Sequence, residues 1–299
     1  MTNHLVRRAV AAALVATALT ACTAAATPTT APPSSTAAPS TADFAELEKT
    51  FDARLGVHAI DTGTGREVSY RDGERFAYAS THKALSAAAV IRMNTLPELE
   101  EVITYTAADL VSNSPVSEKH VDTGMTLREI ADAAVRFSDN TAGNLLFREL
   151  GGPAALGEVL RGIGDTTTHV DRIEPELNDT LPGDLRDTST PRVLAADLRA
   201  VAVDDVLPAE KRDVLVDLLR RSTTGDKAIR AGVPGGWVVG DKTGSAAYGT
   251  RNDIAVLWPP NRAPIVLAVL SDRSTVDAAR DDALLARATE VVVEALGAR

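Results

Sequence analysis

Between Asp43 and Arg54, Phe44, Leu47 and Phe51 recur at helical spacing, which predicts an amphipathic helix. Two alternating segments follow, Gly56–Asp61 and Glu67–Arg71, and the Thr62-Gly63-Thr64-Gly65 turn between them makes a hairpin. From Ser80 to about Arg220 nearly every periodic stretch is helical, and Thr126-Leu127-Arg128-Glu129 opens one helix with a capping-box pattern. Strand patterns return at Gly236–Thr243, Asn252–Trp258 and Pro264–Ser271, and a last helical stretch runs from Val276 to Ala295. Strands at both ends of a helical middle predict an α/β (α+β) fold of two lobes. One lobe, about 43–76 and 222–299, holds an antiparallel sheet built from both chain ends with flanking helices. The other, about 77–221, is all-helical, and the junction between them is a natural cleft.

The first 22 residues follow a different pattern. Arg7 and Arg8 precede an apolar run, Ala9 to Leu19, broken only by Thr17. That run falls short of the ~20 residues that cross a bilayer but suits the apolar region of an export signal. Leu19-Thr20-Ala21-Cys22 resembles the bacterial lipobox, in which cleavage precedes an acylated cysteine, and Cys22 is the only cysteine of the chain. The expectation is a signal peptide over 1–21 and an exported protein lipid-anchored to the outer face of the cell membrane, possible release in part included. A plain signal peptide with an incidental cysteine is the alternative, and the paired arginines leave the export route open. Residues 23–42 contain only Ala, Thr, Pro and Ser. Such a segment is expected to be a disordered spacer reaching up to ~60 Å at ~3.1 Å per residue.

Composition narrows the function. Of 299 residues 44% are apolar and 24% charged, an ordinary globular profile, and the net charge is −10. Loss of residues 1–21 removes two arginines and no acids, leaving −12. Nucleic acid is excluded as a partner, because phosphate binding needs concentrated Lys and Arg. A single cysteine excludes an internal disulfide and a Cys-rich zinc site. Five scattered histidines, with no His-x-x-x-His pair, argue against a metal enzyme, so neither metal nor cofactor is expected.

Three short motifs carry chemistry. In Ser80-Thr81-His82-Lys83 the i, i+3 spacing lets the Lys83 amine reach the Ser80 hydroxyl on one helix face. Ser80 stands where an apolar helix begins, so a developing anion there meets the positive helix end. Taken singly, the pair reads equally as an N-cap serine with a solvated lysine. Ser138-Asp139-Asn140 lies between two helical stretches and by itself reads as a capping loop. Lys242-Thr243-Gly244-Ser245 lies on a predicted strand, where a lysine and two hydroxyls can bind a carboxylate and Gly244 can admit a substrate to the backbone.

Together, in this order, the three resemble the signature of serine β-lactamases and penicillin-binding proteins. Arg172-Ile173-Glu174-Pro175-Glu176-Leu177-Asn178 further resembles the loop of class A β-lactamases that carries the deacylating carboxylate and amide. Ser114-Pro115-Val116-Ser117-Glu118-Lys119-His120, Val239-Gly240-Asp241-Lys242-Thr243-Gly244 and Tyr248-Gly249-Thr250-Arg251-Asn252-Asp253 are similar to that family too. The resemblance implies hydrolysis of a β-lactam amide by way of an ester on Ser80. It assigns the proton on Ser80 to Lys83 or to Glu174, the lactam nitrogen's proton to Ser138, and an oxyanion hole to the backbone N–H groups of Ser80 and Ser245. It makes Asn140 orient the substrate's acylamino group, and Lys242, Thr243, Ser245 and Arg251 hold its carboxylate, which also focuses positive charge in an acidic protein. Glu174 and Asn178, four apart, would hold the deacylating water, and Arg172 with Asp187 would close an Ω-loop.

Two positions depart from the family. Asn113 stands before Ser-Pro-Val at the cleft gate, where a tyrosine is usual, and Ala79 and Ala246 occupy positions at which some carbapenem-hydrolysing relatives carry a disulfide. The expected partner is a small β-lactam and the expected state a monomer. The rival readings are a penicillin-binding D,D-peptidase that acylates but deacylates slowly, and a binding module that has kept the scaffold.

Overall fold

The computed structural model describes residues 41–298. The expected export signal, Cys22 and most of the expected spacer lie outside the described residues. Helix α1, Thr41–Phe51, buries Phe44 and Leu47, and it stops short of the predicted Arg54. Asp52 turns the chain with φ +45°, and Arg54 opens strand β1, Arg54–Asp61, where its guanidinium pairs with Asp272. That long-range ion pair has no local signature, which is why helical spacing overran the boundary. Strand β2, Glu67–Tyr70, completes the hairpin.

The middle of the chain holds β3 (Phe76–Ala77), α2 (His82–Met93), β4 (Val102–Ile103), β5 (Met125–Thr126), α3 (Leu127–Arg136), α4 (Asn140–Leu150), α5 (Pro153–Arg161), β6 (Thr188–Ser189), α6 (Pro191–Ala202) and α7 (Ala209–Arg220). The Thr126 hydroxyl accepts from the Glu129 amide while the Glu129 carboxylate accepts from the Thr126 amide, so the capping box forms as the pattern predicts. Strands β7 (Val238–Ser245), β8 (Arg251–Trp258) and β9 (Ile265–Asp272) then join β1 and β2. The result is a five-stranded antiparallel sheet in the order β2-β1-β9-β8-β7. The last helix, α8 (Asp282–Ala295), begins six residues later than its apolar pattern, because Asp281 caps it through the Ala283 amide.

Both faces of the sheet are covered, and alternation along β9 shows how. Ile265, Leu267 and Val269 face α1 and α8 with Leu55, Val57, Leu284 and Val292. Val266, Ala268 and Leu270 join the larger core of the helical part, with Leu194, Leu198, Leu146 and Ile130. This two-lobed α/β arrangement leaves the end of β7 beside the start of α2, where the site lies.

Candidate active site

Ser80 sits in a 3-10 turn, Ala79–Thr81, that runs straight into α2. Ala79 before it has φ +50°, and Ser138 and Asn113 across the cleft have φ +55° and +61°. Left-handed backbone at such residues costs roughly 1 kcal/mol or more each, and its concentration here marks a functional constraint.

Lys83 is fully buried, and its Nζ donates to Ser80 Oγ at 2.9 Å, Asn140 Oδ1 at 2.6 Å and the Ser138 carbonyl at 3.1 Å. It also lies 2.8 Å from Glu174 Oε1. The Ser80 hydroxyl in turn donates to Glu174 Oε1 at 3.2 Å. Burial alone would push the Glu174 carboxyl up, but the Lys83 charge and the donors around it hold it well below the usual carboxylate range. Burial likewise pushes the Lys83 ammonium down, against the pull of Glu174. Lys83 and Glu174 thus face each other as a close buried pair with the Ser80 hydroxyl in reach of both.

Glu174 and Asn178 do meet. Asn178 Nδ2 donates to Glu174 Oε2 at 2.5 Å, across a cis Glu174–Pro175 bond and a 3-10 turn at Glu176–Asn178. Asn178 Oδ1 is buried without a protein partner. The loop is closed at its neck: Arg172 Nε donates to Asp187 Oδ2 at 2.5 Å, while Asp187 Oδ1 accepts from the Asp171 and Arg172 amides and the Tyr78 hydroxyl.

On the opposite wall, Lys242 Nζ donates to Ser138 Oγ at 2.9 Å and to the Thr243 carbonyl at 2.7 Å. Burial first, and the charge of Lys83 second, push Lys242 down to about 7. Thr243 shares a 2.7 Å hydrogen bond with Thr224, and Arg251 Nη1 donates to Ser245 Oγ at 3.1 Å. The structure therefore gathers Ser80, Lys83, Ser138, Glu174, Asn178, Asn140 and Lys242 into one hydrogen-bonded network, with Thr243, Ser245 and Arg251 in line along β7 and β8.

Three of these positions make contacts beyond their expected roles. A Cβ on Gly244 would lie 2.7 Å from the Tyr78 carbonyl and 3.1 Å from Thr81, so glycine there lets β7 close against the nucleophile's turn. Asn140 is engaged at both ends, by Lys83 and by the Ser112 carbonyl at 2.9 Å. Asn113 supplies no aromatic platform; its Nδ2 donates to the Ser138 carbonyl at 3.2 Å and its carbonyl accepts from the Asn140 amide.

Several contacts had no spacing in the chain to announce them. Asn144 brackets Glu174, accepting from its amide at 2.8 Å and donating to its carbonyl at 2.7 Å. The Asp139 carboxylate accepts from the Val116, Ser117 and Ala142 amides, joining loop and helix at the Ser-Asp-Asn turn. Asp282 accepts from Arg251 Nε at 2.5 Å, and Asn252 Nδ2 donates to the Ala77 and Tyr78 carbonyls. His82, inside the first motif, lies 3.6 Å from Glu174 Oε1. Only the i, i+4 position of Asn144 from Asn140 on one helix face could have flagged Asn144.

Residues 39–296 match the β-lactamase enzyme family. The chain is 57% identical over 255 residues to a β-lactamase of Amycolatopsis lactamdurans, covering 85% of this chain and 84% of that one. This chain belongs to the class A serine β-lactamases. A β-lactamase of Nocardia asteroides is 54% identical over 297 residues, 97% of this chain and 96% of its own. Among solved structures, the class A β-lactamase of Clostridium kluyveri superposes with a TM-score of 0.85 at 46% identity, over 86% of this chain and 98% of that one. A halotolerant bacterial β-lactamase gives 0.84 at 55% identity, over 85% and 98%. As a β-lactamase fold, the two lobes and the cleft between them are thus accounted for.

Proposed function

We propose that this β-lactamase opens the four-membered amide ring of β-lactam antibiotics through an ester on Ser80, released by water that Glu174 activates, and so confers resistance to them. The observation that carries the reading is the Ser80–Glu174–Asn178 arrangement, in which one carboxylate touches both the nucleophile and the amide that would aim the water.

In acylation the Ser80 oxygen attacks the lactam carbonyl carbon and the C–N bond breaks. Glu174, which already receives the Ser80 hydrogen bond, or Lys83 beside both takes the Ser80 proton. The departing nitrogen takes the Ser138 hydroxyl proton, and the proton from Ser80 returns to Ser138 through the buried lysines, so that Glu174 is a carboxylate again before deacylation. Backbone N–H groups of Ser80 and Ser245 stabilise the oxyanion, a contribution of about 10²–10³ per donor where it has been measured. The substrate carboxylate lies among Lys242, Thr243, Ser245 and Arg251. In deacylation a water held by Glu174 and by the unpartnered Asn178 Oδ1 gives its proton to Glu174 and its oxygen to the ester carbonyl. The Ser80 oxygen then leaves and regains a proton.

The rest of the reading concerns the whole molecule. One chain supplies the whole catalytic network, so no partner subunit is needed to complete the site. The Leu19-Thr20-Ala21-Cys22 segment supports export and lipidation at Cys22, with 23–40 as the tether. Among the described residues no helix is long and apolar enough to cross a membrane.

The test is a chromogenic cephalosporin assay with intact-mass analysis. The protein turns over continuously, Ser80→Ala forms no adduct, and Glu174→Gln accumulates acylated Ser80 with deacylation slowed about 10²–10⁴-fold. A single stoichiometric burst by the unaltered protein would instead make it a penicillin-binding peptidase.

A further inference from the structure

His82 lies between the nucleophile and its lysine in sequence, yet none of the steps above uses it. Its imidazole is 2% exposed, and Glu174 is buried completely. Nε2 has no hydrogen-bond partner in the protein and stands 3.6 Å from Glu174 Oε1, just outside hydrogen-bond reach. The ring cannot turn away. It stacks on Phe147 of α4 with centroids 4.8 Å apart and planes 8° from parallel, and Tyr78 meets its edge at 5.8 Å.

We propose that His82 is a positioning residue for the Glu174 base, a neutral imidazole whose Nε2–H faces Oε1 and keeps that carboxylate ionised and aimed at Ser80. The inference rests on the reading of Glu174 as the general base.

The tautomer follows from what Nε2 faces. A bare Nε2 would set a nitrogen lone pair against an anionic oxygen in a site closed to bulk solvent, an arrangement that is repulsive, so the ring proton belongs on Nε2. Ser86 Oγ, one helical turn along, donates to the His82 carbonyl at 3.1 Å and lies 3.0 Å from Nδ1, toward which its hydroxyl turns when the ring proton is on Nε2. Burial pushes the imidazole below its ordinary range despite the pull of Glu174, with Lys83 and Lys242 acting in the same direction as burial, so the ring stays neutral.

The groups facing Glu174 are few. Lys83, His82 and Ser80 come from α2 and the turn before it, Asn178 from the loop, and Asn144 of α4 holds the Glu174 backbone. Lys242 of β7 acts on Lys83 and His82 by charge, and Asp139 acts on Lys83. Lys83 dominates the carboxylate in the resting protein. In the acyl-enzyme the Ser80 hydroxyl no longer donates to Oε1, the carboxylate becomes easier to protonate, and the remaining donors carry more weight.

The sign of the effect follows. A donor to the charged form favours it, so removing that donor raises the pH at which Glu174 is protonated. His82→Phe keeps the aromatic stack on Phe147 and loses only the nitrogens. Single-turnover measurement of deacylation across acidic pH is expected to show its acid limb moved upward by about one pH unit, with much less change at pH 8. His82→Gln, which keeps a donor, brings the limb back most of the way. Nitrogen NMR of the unaltered protein gives a neutral ring with its proton on Nε2, and in Glu174→Gln that resonance moves. An acid limb unmoved in folded His82→Phe, or a proton found on Nδ1, overturns the proposal; where His82→Phe does not fold, the NMR result decides alone. These outcomes are separate from the base assignment, which fails only when Glu174→Gln still deacylates at the parent rate.

Discussion

Two lysines share the residue-scale electrostatics of the cleft and are used differently. Lys83 is tied into an ion pair with Glu174, whereas Lys242 faces only hydroxyl and carbonyl oxygens at hydrogen-bond distance. Burial has pushed Lys242 down to about 7, so it is a cation below that pH and progressively neutral above it. A substrate carboxylate needs the cation. For a cephalosporin, kcat/KM is therefore expected to fall as pH rises through about 7, by up to about tenfold per pH unit. An anion bound beside the amine favours its charged form, so the corresponding limb in kcat lies at higher pH. Initial rates between pH 6 and 9 check this, and a flat kcat/KM over that range would contradict it. Glycine matters at this scale as well: a Cβ on Gly143 would stand 2.7 Å from Lys83 Cε, so α4 can approach the buried lysine only with a bare backbone there.

At the scale of elements, the loop from Arg172 to Asp187 is held by its neck. Asp187 is fully buried and serves four donors, one of which is the hydroxyl of Tyr78, two residues before Ser80. The same carboxylate thus fixes the loop that carries Glu174 and the turn that carries the nucleophile. Asp187→Ala leaves Arg172 and three other donors without their acceptor. The expected loss is about 3 kcal/mol, the lower end for opening a buried pair, because Arg172 keeps some access to solvent. Urea denaturation measures that loss. Deacylation should suffer more than acylation, since Glu174 and Asn178 depend on the loop directly, and mass analysis should find more acylated protein at steady state.

At the scale of the whole molecule, the sheet separates two cores that do different work. The helical core positions Ser80, Lys83, Ser138 and Asn140, whereas α1 and α8 cover the other face, α1 adding no residue to the site and α8 only Asp282 behind Arg251. Deleting 41–51 removes Phe44 and Leu47 from that second core, along with the stacking of Phe44 on Tyr70 at 5.4 Å. The expected cost is at least about 3 kcal/mol, roughly 6 °C or more in Tm for a domain of this size. A chain beginning at Thr41 should keep the parent Tm, and the deleted protein should keep its kcat at low temperature. Equal loss of kcat and of stability would show that the two cores are not separable in this way.

The sequence alone determined the class of fold, the order of the elements, and the residues of the catalytic network that belong to motifs. Each of those depends on local spacing: two residues per repeat on a strand, three or four on a helix, a capping box at Thr126. It also placed Glu174 and Asn178 on one face, because a separation of four suffices for that. Tertiary structure decided whatever depends on contacts between distant segments. Arg54 ended α1 early by pairing with Asp272, Asp281 delayed α8, and Gly244 proved to answer to Tyr78 and Thr81. Asn144 and Asp282 entered the site from positions with no distinctive neighbours, and His82, though inside the first motif, gave no sign of its approach to Glu174, since a contact between distant segments leaves no period in the chain. Burial had the same standing: it pushed both lysines down, while the Lys83 charge and the donors around Glu174 held that carboxyl below its usual range. Solvent exclusion belongs to the folded molecule, and no single stretch of the chain encodes it.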